Sequence, residues 1–222
     1  MPPERHLGGG IRPLRFQDYI LLSLLWTAYC IVHSALISVP VTDCLRRVLG
    51  GRYRFYRLFF NIFSVATLVP LLMYSRSARF ATEPLFTWEG TLRVVQSLLI
   101  ALVALLAVAA ARHYSMLHFF GIKQILQGRA GNAMTDSGEL DSSGILGIIR
   151  HPWYLAVFIL LWAQDLNLAK IIINLVLSAY LLIGTLLEER KLVLEFAEQY
   201  KLYQRRVSMF IPFQWLASKL HG

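Results

Sequence analysis

Long apolar runs without ionised side chains dominate the chain. From Tyr19 to Thr42 there is no Asp, Glu, Lys or Arg. Coiled as helix at about 1.5 Å per residue, such a run exceeds the roughly 30 Å hydrocarbon core of a bilayer. Leu58 to Ser75 is uncharged between Arg57 and Arg76, and Val94 to Ala111 is uncharged between Arg93 and Arg112. Each is close to the minimum for crossing. Trp153 to Ala163 is a shorter run and Ile171 to Leu187 an adequate one; with Gln164-Asp165-Leu166-Asn167 between them they predict a helical hairpin. Beyond it, Glu189, Val193, Phe196, Tyr200, Tyr203 and Val207 recur every three or four residues, the period of an amphipathic helix. Glu195, Glu198, Lys201 and Arg205 fall off that stripe and are expected in solvent. The pattern predicts an all-α integral membrane bundle of about five transmembrane helices with a C-terminal cytoplasmic amphipathic helix.

Composition agrees: 56% of the residues are hydrophobic and 16% charged, against about a quarter charged in water-soluble domains. The net charge of +9 is not gathered on one basic face, so nucleic acid is not an expected partner. With five spans, one side of the membrane collects five Lys/Arg at 46–57, four at 112–150 and six at 190–219, and the other collects seven. The positive-inside rule then places the N-terminus outside and the C-terminus in the cytoplasm. The first apolar run is too long for a signal peptide and is expected to stay. Cys30 within a span and Cys44 just beyond it read as free thiols.

Residues 1–17 read as a mobile tail, 18–111 as three spans with their loops, and 112–222 as the region that carries chemistry. Within the first part, the arginine- and aromatic-rich stretch ending at Arg57 suits anionic headgroups of membrane lipids. His33, Ser34, Asn61 and Ser64 are polar groups at membrane depth, suited to bonds between helices or, for His33, to a substrate. Between Gly121 and Ser143 the chain is polar and glycine-containing, a loop of functional length. His113 and His118 are five apart, off a common helical face, and no metal set is expected.

Two motifs interrupt the apolar pattern. Arg150-His151-Pro152 stands between the apolar residues 144–149 and Trp153. Pro152 fits the first turn of a helix; if helical geometry extends back over that turn, Arg150, His151 and Tyr154 share one face. Ionisable groups flanked by apolar residues usually mark a site, although a pair that snorkels to headgroups has the same pattern. Glu188-Glu189 closes the last span, with Glu189 on the apolar stripe, where burial demands a cationic partner such as Arg150, His151 or a ligand. A helix-capping surface pair is the other reading. The hairpin brings both motifs to the same membrane side, around a cavity suited to a zwitterionic ligand and an apolar co-substrate.

At these residues the chain resembles the membrane methyltransferases typified by isoprenylcysteine carboxyl methyltransferase and phosphatidylethanolamine methyltransferase. The shared pattern is Arg150-His151-Pro152-Trp153-Tyr154, then Glu188-Glu189, then Phe196, Tyr200, Tyr203, Val207 and Phe210-Ile211-Pro212. Phe120 to Gln124, Glu188-Glu189-Arg190 and Met209 to Pro212 give a closer likeness to the bacterial methanethiol S-methyltransferase type. The likeness covers roughly residues 115–213. It implies S-adenosylmethionine as cofactor, held without a Rossmann sheet by Gln124, His151, Tyr154, Glu189 (or Glu188), Tyr200 and Tyr203, in the bacterial inner membrane. Arg150, His151 and Glu188 are the candidate catalytic residues, Arg150 stabilising an anionic nucleophile or the cofactor carboxylate and His151 assisting as base.

The isoprenylcysteine enzymes carry an arginine shortly before the acidic pair, where this chain has Gly184-Thr185-Leu186-Leu187. That departure argues against a carboxylate acceptor and for a small thiol or other lipid-accessible nucleophile. The alternatives are an NADPH-dependent membrane reductase of similar C-terminal architecture and a non-catalytic membrane helper or transport protein.

Overall fold

The computed structural model describes residues 14–113, 121–127 and 140–220, apart from the side chains of 123, 124 and 127. The predicted tail lies outside the described residues as far as residue 13, as do His118 and positions 128–139 of the predicted loop. The described helices are α1 Phe16–Ile37, α2 Val39–Leu49, α3 Tyr56–Ser75, α4 Leu92–Ala111, α5 Ile122–Gln127, α6 Pro152–Trp162, α7 Leu168–Arg206 and α8 Phe213–Leu220.

The protein is an integral membrane helical bundle. Long enough and apolar enough to cross a bilayer are α1, the stretch Val39–Ser75 that ends in α3, α4 and α7. The fifth apolar helix, α6, has 11 residues; at about 1.5 Å each it is about half as long as a roughly 30 Å core. It packs along α4, burying Ala156 with Leu106 and Ile149. The first apolar run also divides: Ser38 is extended, Pro40 lies in the first turn of α2, and the chain leaves the α1 axis there.

Small and aromatic side chains seat α1 on α7 and α3, with Leu22, Trp26, Leu71, Phe80 and Ala169 forming one core. At the end of the bundle away from Arg150, Asn167 caps α7 by accepting from the Lys170 N–H at 3.0 Å and donates to the Phe80 carbonyl at 3.0 Å. The Trp88 indole N–H donates to the Gln164 carbonyl at 3.2 Å. These bonds fix the hairpin turn predicted between α6 and α7.

The principal departure from the sequence pattern lies in α7. The stripe from Glu189 to Val207 predicts one uninterrupted helix, which would carry Gln204 about 22 Å beyond Glu189. Instead Gln204 Nε2 donates to Glu189 Oε2 at 2.6 Å. The backbone turns back at Ala197, where φ is 45° and ψ −121°. The two halves of the stripe therefore face each other, and Leu192, Tyr200, Tyr203 and Val207 bury together with Val193 and Phe196 against them.

Candidate functional site

The chain enters the site through a short 3-10 turn, Gly144–Gly147, anchored by the buried Ile149. The next two backbone N–H groups belong to another segment: Arg150 N–H donates to the Ser208 carbonyl at 2.9 Å and His151 N–H to the Met209 carbonyl at 3.1 Å. The segment after the Ala197 turn thus lies beside the motif as a single parallel bridge, Ile149 to Ser208. Helical geometry does not extend back over Arg150. His151 is the N-cap residue, at φ −125° and ψ 64°, and Pro152 opens α6.

This backbone arrangement aims Arg150 at Glu189, and both side chains are more than nine-tenths buried. The guanidinium pairs bidentately, Nε to Oε1 at 2.6 Å and Nη2 to Oε2 at 3.0 Å. Its Nη1 donates to the Gln204 carbonyl at 3.1 Å and also to the Val207 carbonyl. A buried ion pair tolerates desolvation only when its remaining valences are filled. Here they are, because Glu189 also accepts from the Tyr200 hydroxyl at 3.2 Å and from Gln204, and its Oε1 lies 2.9 Å from His151 Nε2. Burial alone would raise the Glu189 pKa; hydrogen bonds from His151, Arg150 and Gln204, with the Arg150 charge, outweigh it and depress the value to about 2. Burial first, then the neighbouring Glu189 charge, push the Tyr200 phenol well above its ordinary range and keep it a donor.

The contact with Glu189 bears on the tautomer of His151. Nε2 faces a carboxylate and carries the ring proton, so in the neutral ring Nδ1 holds the free lone pair. Nδ1 looks towards Glu188 Oε2 at 3.9 Å, beyond hydrogen-bond distance. That carboxylate oxygen is buried and has no hydrogen-bond partner among the described residues. The His151 ring is also flanked by Tyr154, edge-on at 5.5 Å, and by Phe210 at 6.2 Å.

The structure therefore brings together Arg150, His151, Tyr154, Glu188, Glu189 and Tyr200. Tyr203 joins through its neighbour, stacked edge-on against Tyr200 at 5.6 Å and donating to the Leu146 carbonyl at 2.6 Å. Gln124 stands in α5, its side chain outside the described residues. Sequence reasoning missed Gln204, which is one helical turn after Tyr200 and becomes visible only once the Ala197 turn is known. It also missed the pairing of His113 Nδ1 with Asp141 Oδ2 at 2.7 Å, which ties the end of α4 to the segment leading into the motif. Among the described residues no group of three His, Cys, Asp or Glu side chains could hold a metal ion.

A family model described as NnrU protein matches residues 21–207. Methanethiol S-methyltransferase of Pseudomonas deceptionensis is 32% identical over 129 residues, 56% of this chain and 49% of that protein. Methanethiol S-methyltransferase 1 of Bradyrhizobium diazoefficiens is 32% identical over 100 residues, 44% of this chain and 35% of that protein. The Mycobacterium tuberculosis methanethiol S-methyltransferase is 27% identical over 153 residues, 67% of this chain and 61% of its own length. The chain spans about half the length of the first of these curated relatives. No solved structure matches.

Proposed function

The chain belongs to the NnrU family, and on that premise we propose that it is an S-adenosylmethionine-dependent methyltransferase of the membrane that methylates a small thiol or another lipid-accessible nucleophile at the cytoplasmic face. The observation that carries the reading is the buried, unpartnered oxygen of Glu188 beside the outward nitrogen of His151. A carboxylate oxygen left without a donor fits the cationic end of a ligand, and relatives named methanethiol S-methyltransferase share about a third of the aligned residues.

When bound, S-adenosylmethionine supplies a methyl group already activated on a sulfonium. The chain's own work is then positioning and exclusion of water. Glu188 would receive the ligand's amino group, with Tyr154 and Phe210 flanking the His151 ring; Gln124 is assigned to the cofactor by the family resemblance alone. Glu189, Tyr200 and Tyr203 act from behind, as does Arg150, whose guanidinium is engaged by Glu189 and by the Gln204 and Val207 carbonyls. His151 takes the proton that the acceptor's S–H gives up, at Nδ1, while Glu189 stabilises the charge at Nε2.

The test is transfer of labelled methyl from S-adenosylmethionine in nanodiscs to small thiols, prenylated cysteine and phospholipid amines. Transfer to thiols is expected. Absence of transfer to every acceptor, together with absence of cofactor binding, overturns the reading, and binding of NADPH in its place points to hydride transfer.

A further inference from the structure

Deeper in the bundle than Glu188 lies a second polar cluster that the proposed chemistry leaves unused. His33 on α1 is half-buried, and its Nδ1 lies 3.2 Å from Ser64 Oγ on α3. Three rings from three helices surround the imidazole: Phe60 at 4.8 Å, Tyr29 at 5.8 Å and Tyr180, edge-on, at 6.3 Å. The Tyr180 hydroxyl interacts with Ser34. No hydrogen-bond partner among the described residues reaches His33 Nε2. An ionisable side chain within a span usually marks a place where something polar binds or passes. A bond made only to hold two helices together needs neither an aromatic enclosure from a third helix nor an open nitrogen.

Helical geometry connects this cluster to the mouth. Tyr180, Gly184 and Glu188 follow one another at four-residue spacing along the half-buried face of α7. A Cβ added at Gly184 would meet nothing within 4 Å. Parallel packing of α1 on α7, from Leu22 and Trp26 against Ala169 and Ile173 up to His33 against Tyr180, brings the end of α1 at Ile37 level with Gly184. Gly184, where an added Cβ would meet no neighbour, thus stands midway between the aromatic cluster and the Glu188 level, which are about 12 Å apart along the helix.

We propose that His33, Ser64 and Tyr180 recognise an uncharged hydrogen-bonding group on the apolar arm of the methyl acceptor, so that the acceptor is a membrane-dissolved amphiphile with that group about 12 Å from its nucleophile. The proposal rests on the methyltransferase reading for the word acceptor, and on the His33 cluster for the rest. A hydroxyl, carbonyl or thiol on such an arm would hydrogen-bond the open His33 Nε2, with the hydrocarbon between lying along Gly184.

The probes are decanethiol and ω-hydroxydecanethiol, whose extended chain matches that span, used in nanodiscs as methyl acceptors and, separately, as ligands in calorimetric titrations. Wild-type protein is expected to show a KM and a Kd about three- to ten-fold lower for the hydroxylated thiol, the worth of one hydrogen bond at membrane depth. In His33→Leu the ratio of the two should fall to unity. Ser64→Ala, a milder change, should reduce it part of the way and keeps the test decisive if His33→Leu fails to fold. Equal constants for the two thiols in wild type, or an unchanged ratio in both variants, overturns the proposal. If neither thiol is methylated yet the hydroxylated one binds tighter in a His33-dependent way, the recognition site stands and the methyltransferase reading falls.

Discussion

Glu189 is the residue on which the mouth is organised, because five donors from four side chains converge on its two oxygens. Removing its charge leaves Arg150 buried and uncompensated. Glu189→Gln is therefore expected to destabilise the protein by about 3–5 kcal/mol, measured as the loss of detergent-solubilised folded protein on a thermal ramp. Gln204→Ala removes one hydrogen bond to a charged group and should cost about 1.5–3 kcal/mol. The depressed pKa gives this pair a pH signature. A carboxyl at about 2 in the folded state, against an ordinary 4.5, contributes stability that is fully present above the ordinary value. That contribution is lost as pH falls from about 4.5 towards 2. Wild-type Tm should decline through that window faster than the Tm of Glu189→Gln, which has no such group to titrate. Parallel declines would show that the Glu189 pair does not set acid stability. That Glu189 needs a cationic partner was legible in sequence, since it lies on an apolar stripe, but Arg150 was one candidate beside His151 and a ligand. The division of labour between the adjacent acids was not legible, because it depends on which of them the bidentate guanidinium reaches.

At the scale of elements, backbone geometry at two small residues controls how the site is delivered. Ala197 holds φ 45° and ψ −121°, a region where only glycine is at ease, at a cost of order 1 kcal/mol or more. Ala197→Gly should raise Tm by the equivalent of about 1 kcal/mol, and Ala197→Val should lower it and release Tyr200 and Gln204 from Glu189. A lower Tm for the glycine variant would mean that the turn is not strained. Nothing in the local sequence signals this turn. Alanine inside an amphipathic stripe is the strongest of helix formers, and the reversal is imposed by tertiary capture of Tyr200 and Gln204. Gly144 is the second position. Its φ is +52°, and a Cβ there would stand 2.8 Å from His113 Nε2. Gly144→Ala should push His113 off Asp141 and loosen the segment that leads into Arg150, read as faster amide exchange over 140–149 with little change in α1 or α3. Uniform exchange behaviour in the variant would separate the His113–Asp141 tie from the site. By contrast the hairpin of α6 and α7 was legible, because Pro152 and the polar Gln164-Asp165-Leu166-Asn167 mark its ends with local chemistry.

For the molecule as a whole, hydropathy was enough to read a helical membrane bundle. Trp153 to Ala163 reads as a short apolar run, and α6 has the same length, 11 residues. Its length is set by Pro152 at one end and by the Trp88 and Gln96 contacts to Gln164 and Ala163 at the other. A half-length helix leaves the Arg150 motif free to pair its backbone with Ser208 and Met209, so the shortfall is part of how the site forms. Orientation follows from charge: the ends of α1, α4 and α7 that carry fifteen of the twenty-two Lys/Arg should face the cytoplasm. The protein carries its own probe for this, since Cys44 on α2 is an exposed free thiol and Cys30 within α1 is buried. A membrane-impermeant maleimide should label the protein in inverted membrane vesicles and leave it unlabelled in intact spheroplasts, with Cys44→Ser abolishing the signal. Labelling in intact spheroplasts would invert the topology, placing the Arg150–Glu189 mouth on the outer face, away from the cytoplasmic pool of methyl donor on which the proposed reaction depends.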